Sequence, residues 1–277
     1  MKFLQIMDLT KSKILVPFDY SELSEYAVKH AVQISKITDT SIVFLHIISD
    51  LSEEALELKK LQQYADEIKA KYGVHIESKI RPGKVSSVIR TYAETIDALL
   101  VVMKTQKPKG KEKYIGSRTI RVMAGSKIPF YVIQAPPRSL GLRRVIFPID
   151  FRKENKEKLA WISYLSKFYT SKIYLYKPKT SDYIIRNNLG FAKRFLEGKD
   201  IDYEIVSGKK KYNLATETLD FANKIKAELV IVMLSKNITV AKAMIGLKEQ
   251  KYISNDYKIP IMCLNPRSDI GKYEGFF

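Results

Sequence analysis

Residues 14–20 read ILVPFDY, and residues 145–151 read VIFPIDF. Each stretch is a strand-like apolar run followed by proline, a hydrophobic residue, aspartate and an aromatic residue, and the two lie 131 positions apart. Two further pairs follow in the same order: ALLVVM at 98–103 with ELVIVM at 228–233, and IPFYVI at 128–133 with IPIMCL at 259–264. Their offsets are 130 and 131, so the chain contains two copies of one unit.

A short stretch rich in proline and glycine joins the two copies. Residues 135–142 read APPRSLGL, a composition typical of an interdomain linker. The total of 277 residues also suits two domains of ordinary size. We therefore expect one domain over residues 1–141 and a second over residues 142–277.

Each copy alternates apolar runs of strand length with helix-like stretches. The predicted strands are 13–18, 42–48, 75–80, 98–103 and 129–134 in the first copy, and 144–149, 172–176, 201–206, 228–233 and 260–264 in the second. Nearly continuous runs of Ile, Leu and Val indicate parallel strands covered on both faces. The predicted fold class is α/β: two tandem flavodoxin-like (Rossmann-like) domains, each a five-stranded parallel sheet with helices on both faces.

The strongest compositional feature is charge. The chain has 48 Lys and Arg against 30 Asp and Glu, a formal net charge of +18, which directs attention to anionic partners. The excess is spread over both copies, +7 in residues 1–141 and +11 in residues 142–277, and no recognised nucleic-acid module accompanies it. Nucleic acid is therefore not favoured as a partner, although charge-driven binding of nucleic acid or another anionic polymer stays open as an alternative.

Several classes of protein are excluded by what the sequence lacks. One cysteine and three histidines give no disulfide and no zinc-ligand spacing, so we predict no metal site. No phosphate-binding loop, dinucleotide fingerprint or nucleophile elbow is present, and we predict no catalytic residue. We expect Cys263 and Trp161 in the core and His46 packed at a strand end. With no signal peptide and no apolar stretch of about 18 residues, we expect a cytoplasmic protein away from the membrane.

In an open parallel sheet, ligands bind beyond the carboxyl ends of the strands where the strand order reverses. Here that point is expected between the first and fourth strands. An aspartate there can accept hydrogen bonds from a base or sugar, and Gly-Ser at a helix start suits phosphate. The alternative is that the aspartate and serine organise a turn and cap the next helix. The candidate ligand-binding residues of the first domain are Pro17, Asp19, Ser21, Met103, Gly116 and Ser117.

The duplicated Pro-x-Asp openings, the strand FLHII at 44–48, and Gly116-Ser117 ahead of an Ile-Pro strand resemble the universal stress protein family (UspA-like). The resemblance covers residues 12–135 and 143–266 and is to the tandem form. It implies adenine nucleotide alpha hydrolase-like domains related by a pseudo-twofold axis, with the last strands, at 130–134 and 261–264, paired antiparallel. Covalent linkage would then replace a homodimer, and a homodimer of whole chains is left open.

The resemblance also implies where a nucleotide site is degenerate. Nucleotide-binding members carry Gly-x-x-Gly, nine residues, then Gly-Ser or Gly-Thr after the fourth strand, and an early aspartate near the adenine. Asp19, Gly116 and Ser117 match this pattern, but Met103 and Gln106 stand at the first two glycine positions. Side chains there should obstruct close approach of the backbone to phosphates.

The second copy departs further from the pattern. The matching positions in the second domain are Asp150, Met233, Lys236, Gly246 and Leu247, of which Asp150, Met233 and Gly246 are the degenerate site candidates. Leucine supplies no hydroxyl at the last position.

These observations predict a tandem universal stress protein that is a non-enzymatic stress-response or interaction module and requires no cofactor. The alternative is that the first domain binds ATP or AMP through Asp19, Gly116, Ser117 and the lysine-rich loop 104–113, with slow hydrolysis. The lysines of that loop would hold phosphate by point charge instead of by a backbone cradle.

Overall fold

All described strands belong to one ten-stranded sheet. A computed structural model describes residues 12–105, 117–151, 155–234 and 248–265. The strands are β1 (Lys13–Pro17), β2 (Ser41–Ile48), β3 (Ile76–Pro82), β4 (Leu100–Lys104), β5 (Phe130–Ile133), β6 (Arg144–Pro148), β7 (Lys172–Lys177), β8 (Tyr203–Ser207), β9 (Leu229–Met233) and β10 (Ile261–Leu264). Their order is β3-β2-β1-β4-β5-β10-β9-β6-β7-β8. Strands β1–β5 form the first half of the molecule and β6–β10 the second.

Helices lie in the connections between the strands, except in the one that joins β5 to β6. They are α1 (Glu22–Thr38), α2 (Glu54–Tyr72), α3 (Val85–Thr95), α4 (Ser117–Met123), α5 (Asn155–Leu165), α6 (Tyr183–Glu197), α7 (Leu214–Lys224) and α8 (Lys248–Ile253). A short 3-10 turn at Leu51–Glu53 precedes α2, because the Asp50 carboxylate accepts the Ser52 backbone N–H and starts a separate turn there. None of the described helices has the length and apolar character needed to cross a bilayer.

The sheet is buried on both faces, which confirms the predicted α/β class. In β1, Ile14, Leu15 and Val16 are completely buried. Ile14 and Val16 pack in a core with α1 and α2, whereas Leu15 faces the opposite core with α3 and α4. Successive side chains of a strand point to opposite faces, so a continuous apolar run feeds both cores. Each fully buried aliphatic side chain contributes about 1.5–3 kcal/mol.

The strand order reverses at equivalent places in the two halves. In the first half, β1 pairs in parallel with β2 and with β4, and Ile14 lies opposite Leu100 in the second of these pairs. In the second half, β6 has the same relation to β7 and β9, and Val145 lies opposite Leu229. The carboxyl ends of β1 and β4, and of β6 and β9, therefore meet at two clefts.

The two halves join through their last strands. β5 and β10 pair antiparallel, as expected, with Met262 opposite Tyr131. Because these strands are equivalent in the repeat, their antiparallel pairing places a pseudo-twofold axis between the halves, and each covers an edge that would otherwise be open. Cys263 of β10 is completely buried, and Trp161 of α5 packs, partly buried, against the core.

Two amide side chains reinforce this join from opposite sides. Gln134 directly follows β5, and its Nε2 donates to the carbonyl of Asn255 at 3.0 Å. The equivalent residue after β10 is Asn265, whose Nδ2 donates to the carbonyls of Met123 at 2.6 Å and Ser126 at 2.9 Å. Each half thus donates to backbone carbonyls at the end of the short last helix of the other, or just after it.

Candidate functional site

The first cleft brings together residues that are far apart in sequence. Pro17 is the last residue of β1, and Asp19 and Ser21 follow it in the turn that leads to α1. Met103 is buried near the end of β4, and Lys104 is the last residue of that strand. Parallel pairing of β1 with β4 sets the two carboxyl ends side by side, as the position of the strand-order reversal predicts.

Lys104 crosses this cleft and binds both candidate polar residues. Its Nζ donates to Asp19 Oδ1 at 2.6 Å, to Asp19 Oδ2 at 2.5 Å and to Ser21 Oγ at 2.5 Å. The Lys104 side chain is 23% exposed and that of Asp19 is 56% exposed, so the pair lies at the mouth of the cleft. One ammonium therefore occupies both oxygens with which Asp19 would accept a ligand's hydrogen bonds.

Asp19 and Ser21 also carry the local roles of turn and cap. The Ser21 hydroxyl donates to Asp19 Oδ1 at 2.7 Å, and the Ser21 backbone N–H donates to the same oxygen at 3.2 Å. Ser21 is the N-cap of α1, where its Oγ accepts the Ser24 backbone N–H at 3.3 Å. This is the arrangement expected when Ser caps a helix and Asp closes the turn before it.

The ion pair holds Asp19 in its charged form. Burial by itself raises the pKa of the Asp19 carboxyl, but hydrogen bonds from Lys104 and Ser21, with the charge of Lys104, outweigh it and bring the pKa down to about 2 from 3.8. Asp19 is therefore ionised at neutral pH and suits an ammonium or another hydrogen-bond donor.

Aromatic and charged residues form the rim on the β2 side. Tyr20 lies between Asp19 and Ser21 with a left-handed backbone, φ 59°, and its ring is 5.1 Å from that of His46. His46, in β2, has Nδ1 at 2.8 Å from the Phe18 carbonyl, and its Nε2 is 3.8 Å from Glu57 Oε2. His46 is thus packed at the strand end, as predicted, and helps to fix the turn that carries Asp19.

A buried lysine contacts the end of β6 at the second cleft. Lys158 of α5 is only 1% exposed, and its Nζ donates to the carbonyl of Pro148, the last residue of β6, at 2.7 Å. The same Nζ lies 4.2 Å from the centroid of the Phe147 ring. Asn188 donates to the Asp150 carbonyl at 2.8 Å, and Met233 is buried in β9. The two clefts therefore differ in their lysine contact: Lys104 binds the Asp19 side chain in the first, and Lys158 binds a backbone carbonyl in the second.

Part of the predicted nucleotide site lies outside the described residues. This applies to Gly116, Gly246, Gln106, Lys236 and Leu247, and to the lysine-rich loop after Thr105. Ser117 is the first residue of α4, and only its place in the backbone is described. The structure thus brings together Pro17, Asp19, Ser21 and Met103 at the first cleft, with Lys104 added.

The two lysines at these clefts are not identified in the sequence analysis. Lys104 is one member of a lysine-rich loop, and nothing in the local sequence indicates a partner 85 residues earlier. Lys158 did leave a signal: at the repeat offset of 131 it aligns with Ala27, a buried position of α1. A lysine in place of a core alanine indicates a buried cation that needs an oxygen partner.

A small cavity lies away from both clefts, at the join between the halves. It has a volume of about 30 Å³, enough for about one water molecule. His30, Tyr131, Tyr169 and Glu228 are among its lining residues. Within it, Glu228 Oε1 accepts from the Arg144 guanidinium at 2.5 Å and Oε2 accepts from the Arg144 backbone N–H at 2.8 Å.

Comparison with known proteins agrees with this architecture. A model of the universal stress protein family matches residues 11–134. A universal stress protein of Methanocaldococcus jannaschii is 30% identical over 146 residues, covering 46% of this chain and 84% of that protein. The crystal structure of a universal stress protein from Archaeoglobus fulgidus aligns with a TM-score of 0.76 at 17% identity, covering 94% of this chain and 98% of that one.

A protein of unknown function from Pseudomonas aeruginosa has the same fold, with a TM-score of 0.68 at 16% identity over 96% of this chain and 97% of that one. These two structural likenesses extend over both halves, whereas the family model covers the first. The duplicated Pro-x-Asp turns, the order of the sheet and the relative from Methanocaldococcus jannaschii lead to one conclusion: the chain belongs to the universal stress protein family.

Proposed function

We propose that this protein is a non-enzymatic stress-response module of two tandem domains, residues 1–141 and 142–277. In each cleft, a lysine of the chain itself binds an oxygen at the end of the first strand or in the turn after it. Membership of the universal stress protein family supports the stress-response role. The fold supports the division, since the segment between β5 and β6 carries no helix or strand. No cofactor is required by this proposal.

The observation that carries the proposal is the contact of Lys104 with Asp19 and Ser21. A nucleotide that used Asp19 as an acceptor would have to compete with the two hydrogen bonds that Lys104 donates to its carboxylate. Hydrogen bonds to charged groups are stronger than neutral ones, so displacement weakens any binding that depends on Asp19. The missing glycines at 103 and 106 act in the same direction.

The alternative is that the first domain binds ATP or AMP. Lys104 would then leave Asp19 and face a phosphate, which Gly116 and Ser117 would help to bind. The second domain is the weaker candidate, because Lys158 is buried beneath the end of β6 and Leu247 replaces the hydroxyl residue.

Calorimetric titration of nucleotide-stripped protein with ATP, ADP and AMP tests the proposal. We expect no heat of binding from the wild type or from Lys79→Ala, a control that removes a surface lysine lying 3.8 Å from Glu77. If the ion pair is what closes the cleft, the Lys104→Ala variant binds nucleotide measurably. Adding Asp19→Ala to that variant then abolishes the binding. Micromolar binding by the wild type that is lost in Asp19→Ala would refute the closed cleft and support the alternative.

The tandem arrangement also bears on assembly. Because β5 and β10 already pair within one chain, we propose that the covalent pseudo-dimer takes the place of a homodimer. Sedimentation over a range of concentrations checks this. A constant monomer mass agrees with it, and a concentration-dependent dimer would show that whole chains associate as well.

A further inference from the structure

A cluster of lysines and tyrosines lies at the outer end of the second half, on the same carboxyl edge of the sheet as the second cleft. Its role goes beyond the function proposed above. Two loops supply it, one between β7 and α6 and the other between β8 and α7. We call it the lysine–tyrosine surface and define it as Lys179, Tyr183, Lys209, Lys210, Lys211 and Tyr212.

Backbone hydrogen bonds hold the two loops together. The Gly208 N–H donates to the Lys177 carbonyl at 2.7 Å, and the Lys179 N–H donates to the Lys210 carbonyl at 3.1 Å. Tyr183 follows Lys179 by four residues and begins α6. Charges from both loops are therefore presented on one side of the molecule, beside the edge strand β8.

The lysines of this surface keep their charge uncompensated. Within the described part of the chain, none of the four forms an ion pair. The neighbouring acids serve the backbone: Glu217 Oε2 accepts the N–H groups of Lys209 at 2.9 Å and Lys210 at 3.4 Å, and Asp182 Oδ1 accepts that of Ile184 at 2.8 Å. Lys69, by contrast, pairs with Asp66 at 2.8 Å.

Both tyrosines of the surface are unusually open for their size. Tyr183 is 65% exposed and Tyr212 is 71% exposed. Large aromatic side chains normally bury most of their area, so these two open rings are available to a partner. Lys211 Nζ lies 5.5 Å from the centroid of the Tyr212 ring, which places a positive charge directly beside an aromatic face.

The first half provides an internal comparison at the equivalent place. The loop after its second strand contains Asp50 and Glu53 where the second half has Lys179 and its neighbours. The loop after its third strand has two residues, 83–84, before α3, whereas that of the second half has six, 208–213, before α7. The first half forms the same sheet without the added lysines and tyrosine. These residues are therefore not required by the repeated fold.

We propose that the lysine–tyrosine surface binds single-stranded nucleic acid. Lysine ammonium groups contact phosphates as point charges, and tyrosine rings stack on bases that are not paired. Base-paired strands hide those faces, so a duplex would use only the charges. This combination fits unpaired RNA or DNA better than an anionic membrane, for which the exposed rings would need to be part of an amphipathic helix face.

Fluorescence anisotropy with a labelled 12-nucleotide oligouridine tests the proposal on the full chain. The dependence of log K on log salt has a slope of about −0.7 for each phosphate neutralised on a single strand. Replacing Lys209, Lys210 and Lys211 by Gln should make the slope shallower by about 2. The matched control Lys29→Gln, Lys36→Gln, Lys59→Gln removes the same charge from exposed positions of the first half and should leave the slope nearly unchanged.

The tyrosines separate base stacking from simple charge. The double variant Tyr183→Leu, Tyr212→Leu should bind oligouridine roughly tenfold or more weakly, since each base that loses its stacking ring costs about that factor. Binding of polyphosphate, which has no bases, should not change. Circular dichroism confirms that each variant is folded.

Three outcomes would overturn the proposal. One is that the control variant loses as much affinity as the Lys209–Lys211 variant. Another is that the tyrosine variant binds oligouridine as the wild type does. The third is binding to vesicles containing anionic phospholipid with none to the oligonucleotide at the same salt concentration.

Discussion

His30 makes the stability of this protein depend on pH in a direction that can be calculated. It is 4% exposed, and its Nε2 donates to the Ala135 carbonyl at 3.0 Å, tying α1 to the segment between the halves. Burial of the imidazole lowers its pKa from 6.5 to about 4, although the hydrogen bond to Ala135 acts in the opposite direction. The folded protein therefore keeps His30 neutral where an unfolded chain would protonate it.

The magnitude follows from this difference in pKa. Above about pH 6.5 neither state binds the proton, and His30 has no effect on the free energy of unfolding. Below that pH only the unfolded state gains a proton, so stability falls as the pH falls and levels off near pH 4. The loss is about 2 kcal/mol at pH 5 relative to pH 8, and about 3 kcal/mol near pH 4.

Urea unfolding followed by circular dichroism at about pH 8, 6.5 and 5 measures this effect. His30→Gln keeps an N–H donor for the Ala135 carbonyl and has no proton to gain, so we expect its pH dependence to be smaller by about 2 kcal/mol. His75→Gln, at an exposed position, is the matched control and should behave as the wild type. If His30→Gln and the wild type lose the same stability between pH 8 and 5, the reasoning is wrong.

Three further predictions concern ion pairs and the join between the halves. Lys104→Ala should move the titration of the Asp19 carboxyl from about 2 towards 4 in a carboxyl NMR titration and, because Asp19 is 56% exposed, should cost only about 1 kcal/mol above pH 4; an unchanged titration would contradict the ion pair. Glu228→Ala should destabilise the protein by about 1–3 kcal/mol in urea, chiefly because it leaves the Arg144 backbone N–H without its acceptor, while the 37% exposed Arg144 side chain stays solvated; a loss well below 1 kcal/mol would show that water replaces the carboxylate. Asn265→Ala removes one donor from each of two carbonyls of the first half, of which that of Met123 still accepts the Ser126 backbone N–H, so we expect a loss of about 1 kcal/mol in thermal unfolding with the Asp19 titration unchanged; equal stability would show that the amide is dispensable.

Much of the fold was accessible from the pattern of apolar residues. The repeat offset of 131 predicted two copies, and the continuous apolar runs predicted parallel strands, because a strand covered on both faces has no polar side. Element ends were less accurate: β3 extends to Pro82, and β8 begins at Tyr203 and not at 201. These are outer strands with one unpaired edge, where the apolar signal is weak.

The candidate site was only partly predictable. The position of the strand-order reversal was enough to place Asp19 and Ser21 at the first cleft, and serine before a helix predicted the cap. The partner of Asp19 was not predictable, since Lys104 stands in a run of lysines that differ little by type or local spacing. The pairing of β1 with β4 places Lys104 beside Asp19, and the other lysines of that run lie outside the described residues.

By itself, the sequence determined the duplication, the α/β class, the buried strands and the turn that presents Asp19. The reason is that local periodicity and composition decide which segments can be buried away from solvent. The tertiary structure alone decided that Lys104 pairs with Asp19 at the first cleft, that Lys158 donates to the carbonyl at the end of β6, and that two short loops combine into one basic surface. The physical reason is that contacts between charged groups act over a few ångströms, and strand order brings together residues that the chain separates.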